Sequence, residues 1–212
     1  MRKPFFWMAM LMMGAAAGGA LGDDTMKLPP AQMSGGMPLM EALKARHSTR
    51  EFDARPLSAQ VLSNLLWAAQ GVNRADTGKR TSPSARDWRE IQVYVVMKEG
   101  VSVYEPATHT LRRIVDKDLR ALTGTQDFPA TAPLNLVYVA DLARMVDATD
   151  DNKRLYSATD TGFIAQNVYL FCASAGLATV VRGSVDREAL AAALGLGPKQ
   201  PIILAQSVGY PK

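Results

Sequence analysis

The chain has 212 residues, 48% hydrophobic and 21% charged, which excludes a disordered or fibrous protein and suits one domain with a sizeable core. The formal charge of +4 drops to +2 once Arg2 and Lys3 are set aside with residues 1–22, too mild for the clustered basic face that nucleic-acid binding needs. A single cysteine, Cys172, excludes an intrachain disulfide and nearly excludes a Cys-based zinc site.

The start, "MRKPFFWMAMLMMGAAAGGALG", has the form of a secretory signal peptide over residues 1–22. Arg2 and Lys3 form a positive n-region, Phe5 to Met13 an apolar run, and "ALG" before Asp23 offers small residues to a signal peptidase. The alternative is a retained membrane anchor, for which the run is short, since a spanning helix needs ~20 apolar residues. An exported, periplasmic protein is therefore expected, with no stable membrane insertion after cleavage.

Residues 23–36 are polar with Pro and Gly and read as a linker ahead of one domain over 37–212. Met37, Leu39, Met40 and Leu43 share a face, which predicts a helix over 37–46. Residues 48–52 look extended. A helix is predicted over 56–71, with Ser58 as cap and Gly71 as stop. Residues 72–90 form a long polar loop, and a loop of that length in a compact domain is usually functional or disordered. "IQVYVVM" at 91–97 is a buried strand, followed by a hairpin of "VSVYEP" and "HTLRRIV".

A short helix is predicted over 116–124 and a second core strand over 133–141. Residues 152–177 make a long helix, apolar nearly all round in its second half and so expected to be central and buried. A strand over 178–183, a helix over 186–196 and a strand over 201–210 complete an α+β layered domain: a mixed, mainly antiparallel sheet covered by helices. Cys172 lies in an apolar helical run and reads as a buried small hydrophobe. His47 and His109 are not spaced as a metal pair.

Four stretches could carry chemistry. In "ARHSTREFD", Arg46, Ser48 and Arg50 alternate along an extended segment, so they can point to one side. Two guanidinium forks and a hydroxyl suit a phosphate monoester. The plain alternative is a solvated turn in which Arg46 and His47 complement a helix C-terminus. "RTSPSARDW" at 80–88 offers small residues and a stiff turn to a flat ligand. In "TVVRGSVD", Gly183 permits close backbone approach, although a strand-to-helix turn capped by Ser184 or Asp186 explains it too. In "DTGFIAQN", Gly162 and Ala165 leave room for a ring or for tight helix packing. No catalytic triad or carboxylate pair is visible.

The order of these motifs resembles the nitroreductase family of flavoproteins. "LKARHSTREFDARPLS" is similar to that family's N-terminal signature, "RTSPSARDWREIQVYVV" to its Pro-Ser loop and first core strand, and "TDTGFIAQNVYLFCASAGLATVVRGSVD" to its central helix and following strand. "ILAQSVGYP" resembles the closing strand, so the likeness spans residues 38–212. The spelling is nearest the branch that includes the dehydrogenases of peptide-thiazoline maturation.

The resemblance implies a nitroreductase-like homodimer that binds FMN. It implies that Arg46, His47, Ser48 and Arg50 hold the FMN phosphate and ribityl chain. Pro83, Ser84 and Ala85 would reach the flavin from the second subunit. The backbone near Arg182 and Gly183 would approach N5. Lys212 is the remaining candidate for the basic contact the family places near its C-terminus. "RDWRE" stands where the family has Asn-x-Gln-Pro-Trp, which leaves Arg86 or Trp88 to face the ring. The implied chemistry is ping-pong hydride exchange at N5 with a small organic substrate, such as a nitroaromatic or quinone. NAD(P)H is the family's usual donor and would be scarce outside the inner membrane. The alternatives are a flavin carrier without turnover and an envelope interaction domain that has lost FMN.

Overall fold

A computed structural model describes residues 25–212; the expected leader over 1–22 lies outside the described residues. The first element is a short strand, β1 (Thr25–Lys27), followed by helices α1 (Leu39–Ala45) and α2 (Ala59–Gln70). The Ser58 hydroxyl accepts from the Val61 amide and starts α2, which buries Leu62, Leu65, Leu66 and Ala69 at helical spacing. A small hairpin follows, β2 (Val72–Arg74) with β3 (Lys79–Arg80). Then come β4 (Ile91–Met97), β5 (Gly100–Glu105) and β6 (Thr110–Val115), the one-turn helix α3 (Phe128–Thr131), and β7 (Leu134–Ala140). The long α4 (Asp150–Ser174), β8 (Ala178–Arg182), α5 (Arg187–Leu194) and β9 (Ile202–Gly209) complete the order.

Seven strands form one sheet in the order β1-β6-β5-β4-β7-β9-β8. Its pairings are all antiparallel, so the mixed sheet expected from the sequence is antiparallel throughout its described strands. The central strands are apolar on both faces because both faces are covered. Val93 and Val95 of β4 join Leu65, Leu66, Ile164 and Val168 on the α2–α4 side. Tyr94 and Val96 join Val185, Leu190 and Leu194 on the α5 side.

Three expectations change. The stretch 116–124 is not a helix: only a 3-10 turn forms, at Arg120–Thr123. The Asp118 carboxylate takes the Arg120 amide (3.0 Å) and its guanidinium, a local bond that competes with helical hydrogen bonding. The loop 72–90 is not wholly irregular, since it carries β2, β3 and a 3-10 turn at Ala85–Asp87. Helix α4 is not buried all round. Its buried residues run along one stripe, through Ser157, Asp160, Ile164, Val168 and Cys172, and Leu155 and Phe163 on the other side are exposed.

The expected linker is partly structural as well. Strand β1 pairs with β6 in the register Thr25 to Arg112, and Leu28 is buried. The chain is then strapped to α2 by His109. The imidazole Nε2 faces the Ser63 hydroxyl (2.7 Å) and the Pro29 carbonyl (3.1 Å), and Nδ1 faces the Tyr104 hydroxyl (2.8 Å). A neutral ring donating from Nε2 and accepting at Nδ1 satisfies all three. Burial holds the His109 pKa below its ordinary value of 6.5, with the Pro29 carbonyl pulling the other way.

A histidine whose folded pKa is depressed contributes stability that is present above the unfolded value and lost as pH falls through it. Between about pH 7.5 and about pH 5.5 the contribution of His109 should therefore fall, read as a shrinking difference in urea stability between the parent and His109→Gln. At the upper end His109→Gln should cost about 1–2 kcal/mol through the lost hydrogen bonds.

Candidate active site

The segment after α1 runs along the outer edge of β8. The Thr49 amide donates to the Thr179 carbonyl (3.1 Å), and the Tyr169 hydroxyl of α4 accepts from the Val181 amide (2.9 Å). Ser48 Oγ meets the same hydroxyl at 2.7 Å. With Thr49 turned to the sheet, its alternating neighbours Ser48 and Arg50 are exposed. Arg46 is half-buried, its guanidinium 5.2 Å from the Tyr169 ring centroid. His47 Nδ1 lies 2.8 Å from the Ala45 carbonyl, so this ring serves the end of α1, as the plain reading of the segment had it.

At the end of β8 the chain turns through Gly183. A Cβ there would meet nothing nearer than Leu204, at 3.9 Å, so the protein interior does not require glycine. Arg187 pins the turn by donating to the carbonyls of Gly183 (3.1 Å) and Ile202 (2.9 Å), and the Asp186 carboxylate caps α5 through the Ala189 amide. Sequence reading missed Arg187, whose role shows only once β9 lies beside the turn.

The Arg182 side chain points inward. It donates to Asn135 Oδ1 (2.8 Å), Ser207 Oγ (3.0 Å) and the Thr123 carbonyl, and a Cβ on Gly124 would overlap it. No carboxylate pairs with it among the described residues, and burial lowers its pKa to about 10. Any role for Arg182 at the site therefore falls to its backbone.

The Pro-Ser loop packs on α4 from the other side. Pro83 is exposed, while Ser84 and Ala85 are half-buried. The Ala85 amide donates to Asp160 Oδ2 (2.9 Å), the Ser84 hydroxyl reaches Glu90 Oε2 (3.4 Å), and the Arg89 amide donates to Ser84 Oγ (2.8 Å). Arg86, Asp87 and Arg89 hold φ of 50°, 56° and 51°, left-handed backbone that is costly for such residues and common where function sets the geometry. Arg86 stacks over Trp88 (5.5 Å), and Trp88 meets Tyr156 of α4 edge-on (5.7 Å).

Sequence reading found no carboxylate pair, and the fold makes one. Glu90 is fully buried and Asp160 nearly so. No donor reaches Glu90 Oε1, and the neighbouring group is the Asp160 carboxyl. A proton on Glu90 removes one of the two neighbouring charges. Burial first, and the Asp160 charge second, push the Glu90 pKa up to about 7. The two residues are far apart in sequence, and no local signal joins them. Cys172 is buried, and burial pushes its thiol pKa well up, which leaves it inert.

Lys212 is exposed at the chain end. An isolated bridge from Phe52 to Pro211 and the bond from the Asp53 amide to the Tyr210 carbonyl (2.9 Å) put the C-terminus beside the basic segment. The fold thus gathers Arg46, Ser48, Arg50, the 183 turn and the C-terminus at the β8 side. Pro83, Ser84 and Ala85 lie across α4, next to the carboxyl pair.

The model of the nitroreductase family matches residues 43–210. A Methanocaldococcus jannaschii protein assigned to the nitroreductases is 35% identical over 156 residues, 69% of this chain and 78% of that protein. A crystal structure of a Ralstonia eutropha protein with the same assignment has a TM-score of 0.85 at 45% identity, covering 89% of this chain and 90% of its own. An NADPH:FMN oxidoreductase from Vibrio harveyi, solved with NAD+, shares the fold at a TM-score of 0.62 and 21% identity, covering 82% and 69%.

A carboxyl whose folded pKa is raised loses stability as pH rises from the unfolded value, 4.5, to the folded one, about 7. Glu90→Gln carries no such charge. Chemical unfolding should show the variant gaining on the parent across that interval, by up to about 3 kcal/mol above it. A constant difference at all pH values would show that the Glu90 carboxyl titrates at its ordinary value.

Proposed function

The chain belongs to the nitroreductase family, and on that premise we propose that it is an exported FMN-dependent oxidoreductase acting on a small organic substrate. The observation that carries the cofactor is the β8 edge. One strand presents a basic, hydroxyl-bearing segment along its length and an open glycine turn at its end. The donor set fits a flavin mononucleotide. Arg46, Ser48 and Arg50 would take the phosphate and ribityl chain, and the backbone at Arg182 and Gly183 would approach the ring edge. Lys212 would add a cation from the C-terminus. The chemistry that bound FMN supplies is hydride exchange at N5 in a ping-pong scheme with donor and acceptor in turn.

This chain's own residues bind and orient. Tyr169 holds Ser48 in place while fixing β8. Arg187 keeps the 183 turn rigid. Arg50, exposed on the same segment, is the candidate to steady negative charge on a reduced ring. The Pro-Ser loop, with Pro83 exposed, would reach a second subunit.

The exposed apolar surface of α1 and α4 supports a homodimer. Met40 (75% exposed), Leu39 and Leu43 lie on α1, which packs on α4, where Leu155 and Phe163 are also exposed. A second copy of the chain is the partner we propose for that surface. The export reading rests on residues 1–22. It makes NAD(P)H one donor to be tested among others. Among the described residues no helix is long and apolar enough to cross a membrane.

Purified protein should be yellow, and its flavin should bleach reversibly with a donor. A yellow protein that never bleaches would instead be a carrier. Arg46→Ala should weaken FMN retention by ~1.5–3 kcal/mol, the loss of a charged hydrogen-bonding group. Gly183→Ala should leave the unfolding midpoint near that of the parent and still weaken FMN binding. Unchanged FMN affinity in both refutes the cofactor assignment.

Phe163→Glu should shift the protein from dimer to monomer by light scattering. A dimer that survives that substitution places the interface elsewhere.

A further inference from the structure

Between the β2–β3 hairpin, the Pro-Ser loop and α4 lies a cavity of about 270 Å³. Gln70, Ile91, Ile164 and the Glu90–Asp160 pair line it, and Arg74, Lys79, Arg80 and Arg89 contribute four cations. Only Arg89 is answered within ion-pair distance, by Asp87 at 2.6 Å. Among the described residues, Arg74, Lys79 and Arg80 have no carboxylate partner. Against these four cations stand the carboxyls of Asp87, Glu90 and Asp160, so the cavity carries net positive charge even with all three ionised.

The hairpin makes this arrangement costly. Arg74 and Lys79 are direct cross-strand partners, and Arg80 follows at once. Like charges directly opposite each other weaken a β-pair. Arg80 is not a freely solvated surface cation: it is half-buried, and burial first, then the charges of Arg89 and Arg144, lower its pKa to about 10. Its neighbours Ser82 and Ser84 add hydroxyls to the same wall. An oxyanion between the three cations would relieve the repulsion and take paired donors from guanidinium forks.

We infer that this cavity is the substrate pocket and that its substrate is a small organic acid, with a carboxylate or phosphate seated between Arg74, Lys79 and Arg80. The volume suits one ring or a short chain, since drug-sized ligands occupy about 300 Å³ or more. The inference rests on the flavin reading above, through Pro83 and Ser84, which line the cavity and belong to the loop assigned to the flavin.

Three single-ring probes test it: 4-nitrobenzoate, 4-nitrophenyl phosphate and neutral 4-nitrobenzamide. Titrated calorimetrically into the oxidised, donor-free protein as purified, an acidic probe should bind at least about tenfold more tightly than the amide. The tighter of the two acids identifies the group. Added salt should shrink the preference, and Lys79→Met with Arg80→Met should reduce it to about twofold or less. Equal binding of acid and amide to the parent overturns the proposal. So does a preference untouched by both salt and the paired substitution. If the paired variant does not fold, the salt dependence of the parent decides. The absorbance spectrum separates the two readings. A colourless protein that prefers the acids keeps the anion site and loses the flavin, and a yellow protein without that preference does the reverse.

Discussion

Strand β8 closes one side of the sheet, and its outer edge must be covered. Bare strand edges leave backbone groups unpaired and invite association with other chains. Here the cover is the segment after α1. Thr49 pairs with the Thr179 carbonyl, and Tyr169 of α4 takes the Val181 amide. That pairing fixes where the segment lies along β8, and Ser48 and Arg50, on either side of Thr49, are exposed. A requirement of the sheet thus sets out the cations and hydroxyl along a line, with no separate loop built for them. The same tyrosine bonds Ser48, so loosening the edge would loosen the site.

The interior carries two further polar devices of opposite kind. Arg182 is a buried cation whose terminal nitrogens donate to neutral acceptors from Thr123, Asn135 and Ser207, while its Nε has no partner. These tie the β8 end to β7, β9 and the turn before α3. Burying a charge without a counter-charge is expensive, and neutral hydrogen bonds offset part of that cost. Glu90, beside Asp160, does the reverse: its raised pKa lowers the cost of burial by favouring the neutral form. The first device fixes the frame around the 183 turn. The second anchors the Pro-Ser loop to α4 through the Ala85 amide and Ser84. Each side of the candidate site is therefore fastened to the core by one buried ionisable group.

Much of the frame was legible. The runs at 91–97 and 133–141, the caps of α2 and α5, and the length of α4 follow from periodicity and capping residues. The basic segment and the Pro-Ser loop were legible through their resemblance to the family. What failed did so for identifiable reasons. Strand β1 is three exposed residues that exist only because β6 offers them an edge. The inward turn of the Arg182 side chain was not legible, because the sequence cannot say that Asn135 and Ser207 converge on it. The Glu90–Asp160 pair joins residues from distant elements. Even β2–β3 was hidden, since its charges argue against pairing.

That last point links the parts. The left-handed backbone at Arg86, Asp87 and Arg89, the orphaned Glu90 oxygen and the like-charged hairpin all lie in one stretch, residues 72–90. Each opposes stability, and the core under α2 and α4 is otherwise closely packed. Unfavourable local choices gathered in one loop, against a frame that could have avoided them, mark the place where binding rather than folding sets the residues. The β8 side differs: its residues satisfy the fold as they stand, and the ligand would need only what is already exposed. The two halves of the site thus differ in kind. One is an exposed basic line along β8 that a ligand would find ready, and the other is a strained, positively charged pocket whose electrostatics would improve with an anion.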